Sequence, residues 1–285
     1  MSKILVTGGL GFIGSHFVDA LIENGHTVDV VDNLSTGSLD NENKKSNLYI
    51  MDTVTFCEEY NIRYDQVYHL ANNARIARSF EHPAETLLNN YSSTVAICEY
   101  MRKTDSRRLF FASSSTTEFT DRFNNPYTMS KFACDDILKM YWMHYDVESS
   151  LLKFYNVYGS MREMDLGKDT TIIRKFKQLV LEDKPLTIIG TGERKRDFTY
   201  INDTIDALMT IVSSERTWLS YHIGTGKNYS INEVAAAFNH PTLHIEDRVY
   251  ELEETLCEKM NIDGWTPKQD LIEHIKEWRK THGPR

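Results

Sequence analysis

The sequence predicts an α/β fold: a doubly wound parallel sheet with helices on both faces, followed by a smaller α/β region. Three observations lead there. Short apolar runs rich in β-formers alternate with longer amphipathic ones, a glycine turn joins the first such run to the first helix, and the alternation loosens from about Asn156 onward. In order, KILVTG reads as a strand, FIGSHFVDALIENG as a helix and TVDVVD as the next strand. QVYHLA, LLNNYSSTVAICEYMRK and RRLFFAS repeat the pattern. Strands this apolar need cover on both faces, which parallel pairing through crossover helices supplies. Farther on, GSMREMDLGKD and GTGERKRD read as loops between helices and short strands. Residues 1–155 are expected to form mainly one doubly wound domain and residues 156–285 mainly a smaller one, with a soft boundary that the chain can cross back over.

Composition narrows the function classes. Hydrophobic residues at 41% and charged residues at 26% of 285 are globular values, enough for a sizeable core. A net charge of -9 repels a nucleic-acid backbone, and no basic cluster offsets it, so no nucleic-acid partner is expected. Cys57, Cys98, Cys134 and Cys257 are far apart, form no CxxC pair and suggest neither a metal site nor a disulfide framework. They read as buried thiols in a reducing compartment. With no apolar run of membrane-spanning length, a soluble cytoplasmic protein with no membrane partner is expected.

The first chemical feature is VTGGLGFIG, in which Gly8, Gly11 and Gly14 follow a strand and open a helix. Without Cβ atoms, such a turn can press backbone N–H groups and a helix N-terminus against a pyrophosphate. Asp32 closes the next strand, where a carboxylate can bond two ribose hydroxyls and would repel a 2′-phosphate, so NAD is preferred to NADP. The plainer alternative is a glycine turn that packs helix on strand beside a solvated acid.

The second feature is Tyr127-Thr-Met-Ser-Lys131, at the start of the helical run SKFACDDILKMYWMHY. A spacing of four puts both side chains on one helix face. A phenol with an ordinary pKa of about 10 serves as a base near neutral pH only where positive charge stabilises its phenolate. Lys131 and an oxidised nicotinamide would supply that charge.

Together with VVDNLSTG, VYHLA, FFASSS, LLKFYNVYG, PLTIIGTGERKRDFTYINDTIDAL, YHIGTGKNYSINEVA and GWTPK, these motifs make nearly the whole chain resemble the extended short-chain dehydrogenase/reductase family, in its NAD-dependent nucleotide-sugar epimerase/dehydratase branch. The resemblance implies a Rossmann domain with tightly held NAD and a smaller C-terminal domain that clamps a nucleotide-diphosphate sugar. It also implies homodimers through a four-helix bundle, to which the helices near residues 86–103 and 128–145 correspond. Residue by residue, it makes Tyr127 the base, Lys131 the group that lowers its pKa and holds the nicotinamide ribose, and Ser115 the catalytic hydroxyl. Phe12 and Ile13 would offer N–H groups to the pyrophosphate, Asp32 and Asn33 would face the adenosine ribose, and Leu70 and Ala71 would back the cofactor. Asp52 would cap the adenine amine or, equally, the helix beginning TVTFCEEY. Asn156, Arg196 and Arg248 would grip the sugar diphosphate, a task that suits a planar, permanently charged guanidinium.

The implied reaction starts when Tyr127 takes a proton from a sugar hydroxyl, at C4, as hydride leaves that carbon. The resulting 4-keto sugar has three fates: return of hydride on the other face in an epimerase, loss of water in a 4,6-dehydratase, or loss of carbon dioxide in a uronate decarboxylase. The lyases of the family carry an acid just after the catalytic hydroxyl. Here those positions are Thr116 and Thr117, and only a one-residue shift brings Glu118 into play, so a UDP-sugar 4-epimerase with an exposed Glu118 on a strand end is the preferred reading. A lyase using Glu118, or a non-catalytic NAD-binding relative of the fold, stands as the alternative. Asn72, Asn73 and Ser93 depart from the small residues and glycine that the family shows at their positions, and Arg75 and Arg78 read as surface residues.

Overall fold

The computed structural model describes residues 1–160, 162, 170–216, 219–247 and 252–282. The first strand, β1 (Lys3–Thr7), runs through the glycine turn into α1 (Phe12–Glu23) and back as β2 (Thr27–Asp32). Then come β3 (Asn47–Ile50), α2 (Thr53–Glu59), β4 (Gln66–His69), α3 (Ile76–Glu81), α4 (Pro83–Thr104) and β5 (Arg108–Ser114). A one-turn helix, α5 (Thr116–Phe119), and the long α6 (Pro126–Tyr145) lead to β6 (Glu148–Phe154). The remainder comprises α7 (Ile172–Leu181), β7 (Leu186–Ile189), β8 (Lys195–Asp197), α8 (Ile201–Val212), β9 (Ser220–Ile223), β10 (Asn228–Ser230), α9 (Ile231–Phe238), β11 (Thr242–Ile245) and α10 (Leu271–His282).

Seven strands form one sheet in the order β3-β2-β1-β4-β5-β6-β9, and every pairing in it is parallel. Period-2 alternation splits each strand between two cores. Ile4, Val6, Val30, Tyr68, Phe110 and Leu152 meet α1 and α8 on one face, where Phe17 and Tyr68 contact edge to face at 4.6 Å and Tyr68 stacks on Phe110 at the same distance. Leu5, Val31, Val67, Leu109, Phe111 and Leu151 meet α2, α4 and α6 on the other. Each fully buried aromatic here contributes about 2–3 kcal/mol by burial.

A third core, with Phe176, Leu186, Ile188, Val234, Phe238 and Ile275, lies among α7, β7, α9 and α10. Two small sheets accompany it, antiparallel β10-β8 and parallel β11-β7. The expected loop GTGERKRD carries the short strand β8 at its end, because Lys195–Asp197 find a partner in β10, a pairing too distant in sequence for local patterning to reveal. The chain also crosses back. After β8 it contributes α8 to the α1 face of the main sheet and β9 to its edge, beside β6. Among the described residues, no helix is long and apolar enough to cross a membrane, and all four cysteines are free and buried.

Candidate active site

The glycine turn is built from backbone. Gly8 sits at φ +72°, and a Cβ there would come within 2.8 Å of the Ala71 nitrogen, so β1 and the end of β4 touch main chain to main chain. A Cβ on Gly14 would lie 2.2 Å from the Gly8 carbonyl oxygen, which only glycine avoids at the start of α1. A Cβ on Gly11 would meet only the Gly8 oxygen, at 3.2 Å, and no side chain caps the helix at this N-cap position. The turn therefore presents an open cradle in front of the first amides of α1, at Phe12 and Ile13, which is the shape and polarity a pyrophosphate needs.

Asp32 lies beside this cradle. Its carboxylate accepts from the backbone of Leu10 at 3.0 Å and of Leu34 at 2.8 Å. Burial raises its pKa, and those two bonds oppose the rise. Asn33 turns back on its own loop, accepting from the Ser35 N–H at 3.1 Å. Leu70 and Ala71 continue β4 past the turn, bonding Thr7 through its carbonyl and its hydroxyl. Asp52 caps α2, accepting from both the N–H and the hydroxyl of Thr55 at 2.9 and 2.8 Å, which holds its pKa low.

Tyr127 stands in the first turn of α6. Asn125 caps that helix by accepting from Thr128 N–H at 2.8 Å, and Pro126 takes the position where a missing N–H costs nothing. One turn later Lys131, almost wholly buried, donates to the Ala112 carbonyl at 2.6 Å and to Asn72 Oδ1 at 2.9 Å. Burial pushes the lysine down to about 8. It raises the Tyr127 phenol, against a hydrogen bond from the Ser114 side chain and the charge of Arg75. Ser115, also buried, opens α5 in helical conformation with no side-chain cap bond. Arg78 pairs with Glu85 on the surface at 2.9 Å.

Glu118 does not lie on a strand. The chain coils into α5 directly after β5, and Glu118 Oε1 meets Lys153 Nζ at 3.1 Å. Lys153 is the hub of a cluster that sequence reading did not single out. It also bonds the Thr117 hydroxyl and meets Asp135 Oδ2 at 3.3 Å, while Ser113 donates to that same Asp135 oxygen at 2.9 Å. Burial raises the Asp135 carboxyl, and the Lys153 charge is the largest influence opposing it. Ser113, Lys153 and His222 are register partners across β5, β6 and β9, a polar row on the α6 face of the sheet at its carboxyl ends. A lysine following two leucines near the end of the strand SSLLKF was the available signal, since a buried charge needs a partner.

On the C-terminal side, Asn156 is exposed, with φ 31° and its amide donating to the Asp197 carbonyl at 2.7 Å. Asp197 is fully buried and binds the segments together, accepting from Thr225, Gly226 and Cys257 N–H groups and from the Thr225 hydroxyl. GTGKNYS is accordingly a turn followed by the short strand β10, which leads into α9, where Ser230 and Glu233 form reciprocal caps. Arg196 donates to the Lys195 carbonyl at 2.9 Å. Arg194 pairs with Asp247 and Glu253. Arg248 lies outside the described residues.

An open glycine cradle, an acid closing β2, and a tyrosine and lysine on the helix after β5 define a dinucleotide-dependent enzyme of the Rossmann type. The chain belongs to the NAD dependent epimerase/dehydratase family, whose model matches residues 4–224. NAD is accordingly its cofactor, and the cradle fits it. A Methanocaldococcus jannaschii protein provisionally named UDP-glucose 4-epimerase is 32% identical, with 98% of this chain and 99% of that one covered. UDP-glucuronic acid decarboxylase 2 of Arabidopsis thaliana is 26% identical over 98% of this chain and 68% of its own. Among solved structures, UDP-glucose 4-epimerase from Thermotoga maritima with UDP-glucose superposes with a TM-score of 0.87 at 28% identity, covering 98% and 99% of the two chains.

Proposed function

We propose that the protein is an NAD-dependent nucleotide-sugar 4-epimerase acting on a UDP-sugar through a transient 4-keto sugar. Glycines 8, 11 and 14 with Phe12, Ile13, Asp32, Asn33, Asp52, Leu70 and Ala71 would hold NAD, which when bound supplies hydride acceptance and return. Tyr127 takes the proton from the C4 hydroxyl and gives it back. Lys131 stabilises the phenolate by charge, and Ser114 or Ser115 completes the hydrogen-bond path. Asn156, Arg196 and Arg248 hold the diphosphate. Residues 1–155 would serve mainly the cofactor and 156–285 mainly the sugar nucleotide, with α8 and β9 as the return crossing.

The observation that favours epimerisation is the Glu118–Lys153 ion pair. A lyase needs a carboxyl free to exchange protons beside the sugar, whereas this one is held by a buried ammonium that itself serves Asp135 and Thr117. The similarity to UDP-sugar 4-epimerases supports the same choice. Incubation with UDP-glucose, UDP-galactose and their N-acetyl and uronate forms tests it. A C4 epimer is the expected product, and release of water or carbon dioxide without one would assign a lyase instead. Exposed Leu88 and Val95 on α4 and Met129, Met140 and Met143 on α6 support a homodimer joined through these two helices, which a sedimentation measurement checks.

A further inference from the structure

We propose that Asn72 is a positioning residue for Lys131, its amide oxygen aiming the ammonium so that one hydrogen is left for the cofactor ribose and Tyr127. This rests on the roles given above to Tyr127 and Lys131. An ammonium has three hydrogens. One goes to the Ala112 carbonyl at 2.6 Å and a second to Asn72 Oδ1 at 2.9 Å.

The orientation of the Asn72 amide is fixed by its neighbours. Its nitrogen donates to the Ala71 carbonyl at 2.8 Å and lies 3.3 Å from His69 Nε2. Turned over, it would set N–H against the Lys131 ammonium and oxygen against the Ala71 oxygen, so only one orientation satisfies both sides. His69 is fully buried, and burial, helped by the Lys131 charge, pushes it down to about 3, which leaves the ring neutral. Its Nδ1 sits 2.7 Å from the Thr7 hydroxyl. A hydrogen on Nδ1 leaves Nε2 to accept from Asn72. The chain of bonds thus runs from Thr7, the residue before the glycine turn, through His69 and Asn72 to Lys131.

The other groups that face Lys131 are accounted for. Burial is the largest influence lowering it; Cys134 and Asp135 on α6 oppose that, and Lys153 on β6 adds to it. Phe111 lies under the ammonium at 4.8 Å and the Tyr127 ring at 5.9 Å. Asn72 and Ala112 are the hydrogen-bond acceptors in this set, and Asn72 is the one a mutation can remove.

Asn72→Ala deletes the acceptor, and Asn72→Asp replaces it with a charged one. Two quantities are read: the alkaline limb of turnover against pH, and the NMR titration of isotope-labelled Lys131 in the NAD-bound, substrate-free protein. The alanine variant should move both to lower pH by about one pH unit, and the aspartate variant should move both upward by a similar amount. Opposite signs distinguish aim and charge from simple loosening. Thr7→Val, two links away, should shift both in the direction of alanine but less, and serves where a replacement of Asn72 does not fold. Unmoved limbs and titrations in the variants that fold, with Tyr127→Phe inactive, would overturn the role of Asn72 and leave the base assignment standing. A fully active Tyr127→Phe would overturn the assignment itself.

Discussion

The glycine turn between β1 and α1 and the polar row across β5, β6 and β9 sit at the same edge of one sheet, yet they are made of different material. The turn is main chain throughout. Its shape follows from the absence of Cβ atoms on glycines within seven positions of one another and from the close approach of the β4 backbone at Ala71. The row is side chain throughout, and its members, Ser113, Lys153 and His222, meet only because three strands pair in a particular register. A backbone device cannot take a side chain where main chain meets main chain, as at Gly8 and Gly14. A side-chain device can be altered one residue at a time, and each change leaves a partner behind.

Breaking the turn should therefore give the largest effect. Gly14→Ala puts a methyl group 2.2 Å from a backbone oxygen, with Gly9 Cα at 2.9 Å, so nothing flexible can yield. A loss of at least about 3 kcal/mol is expected, with NAD binding abolished in any folded fraction, as thermal melting and calorimetry would show. Wild-type affinity in this variant would mean that the cradle is softer than its contacts imply.

Breaking the row should be graded. Lys153→Met strands the buried Asp135 carboxylate beside Ser113 and frees Glu118, which is partly exposed and can take up water. The expected cost is about 3 kcal/mol in chemical denaturation, and a second change, Asp135→Asn, should recover part of it. No recovery would show that Lys153 acts through something other than this pair.

Acid separates the two regions by sign as well as size. His69, beneath the turn, is held neutral in the folded protein down to about 3, against 6.5 when unfolded. The unfolded chain therefore binds the extra proton between those values, and stability falls as pH drops below 6.5, by up to about 1.4 kcal/mol per pH unit for this one group. Melting temperatures between pH 7 and pH 5 should decline, and His69→Gln should flatten the decline. An unchanged slope would place the acid sensitivity elsewhere, with His274, which burial and Lys177 push down to about 4, as the next group to test.

The smallest expected change sharpens a double assignment. Asp52→Ala removes the cap of α2 and should cost about 1 kcal/mol. If Asp52 also meets the adenine, NAD affinity falls by more than the loss of stability explains, and titration of the folded variant separates the two.

What could be read from the sequence follows the same division. β1, α1, β2 and the helix bearing Tyr127 and Lys131 announce themselves through local periodicity, and the glycines and the four-residue spacing through local geometry. Which serine hydroxyl serves Tyr127 is a finer matter, because Ser114 and Ser115 differ only in where β5 stops and α5 begins. Asn72, Asp135 and Lys153 gave no spacing signal at all, since their partners come from other elements. The direction of Glu118 depended on a one-turn helix that no periodicity can mark in so few residues.

The return of β9 to the main sheet bears on how the protein is made. As the chain leaves the ribosome, β6 is complete at Phe154, but its outer edge stays unpaired until Ser220–Ile223 have been synthesised. The segment bearing Asn156 and Arg196 is threaded between them, so a fragment ending near residue 155 would expose a bare parallel edge, a template for sticking to another copy. The newborn chain has to hold that edge open for the last strand of its main sheet.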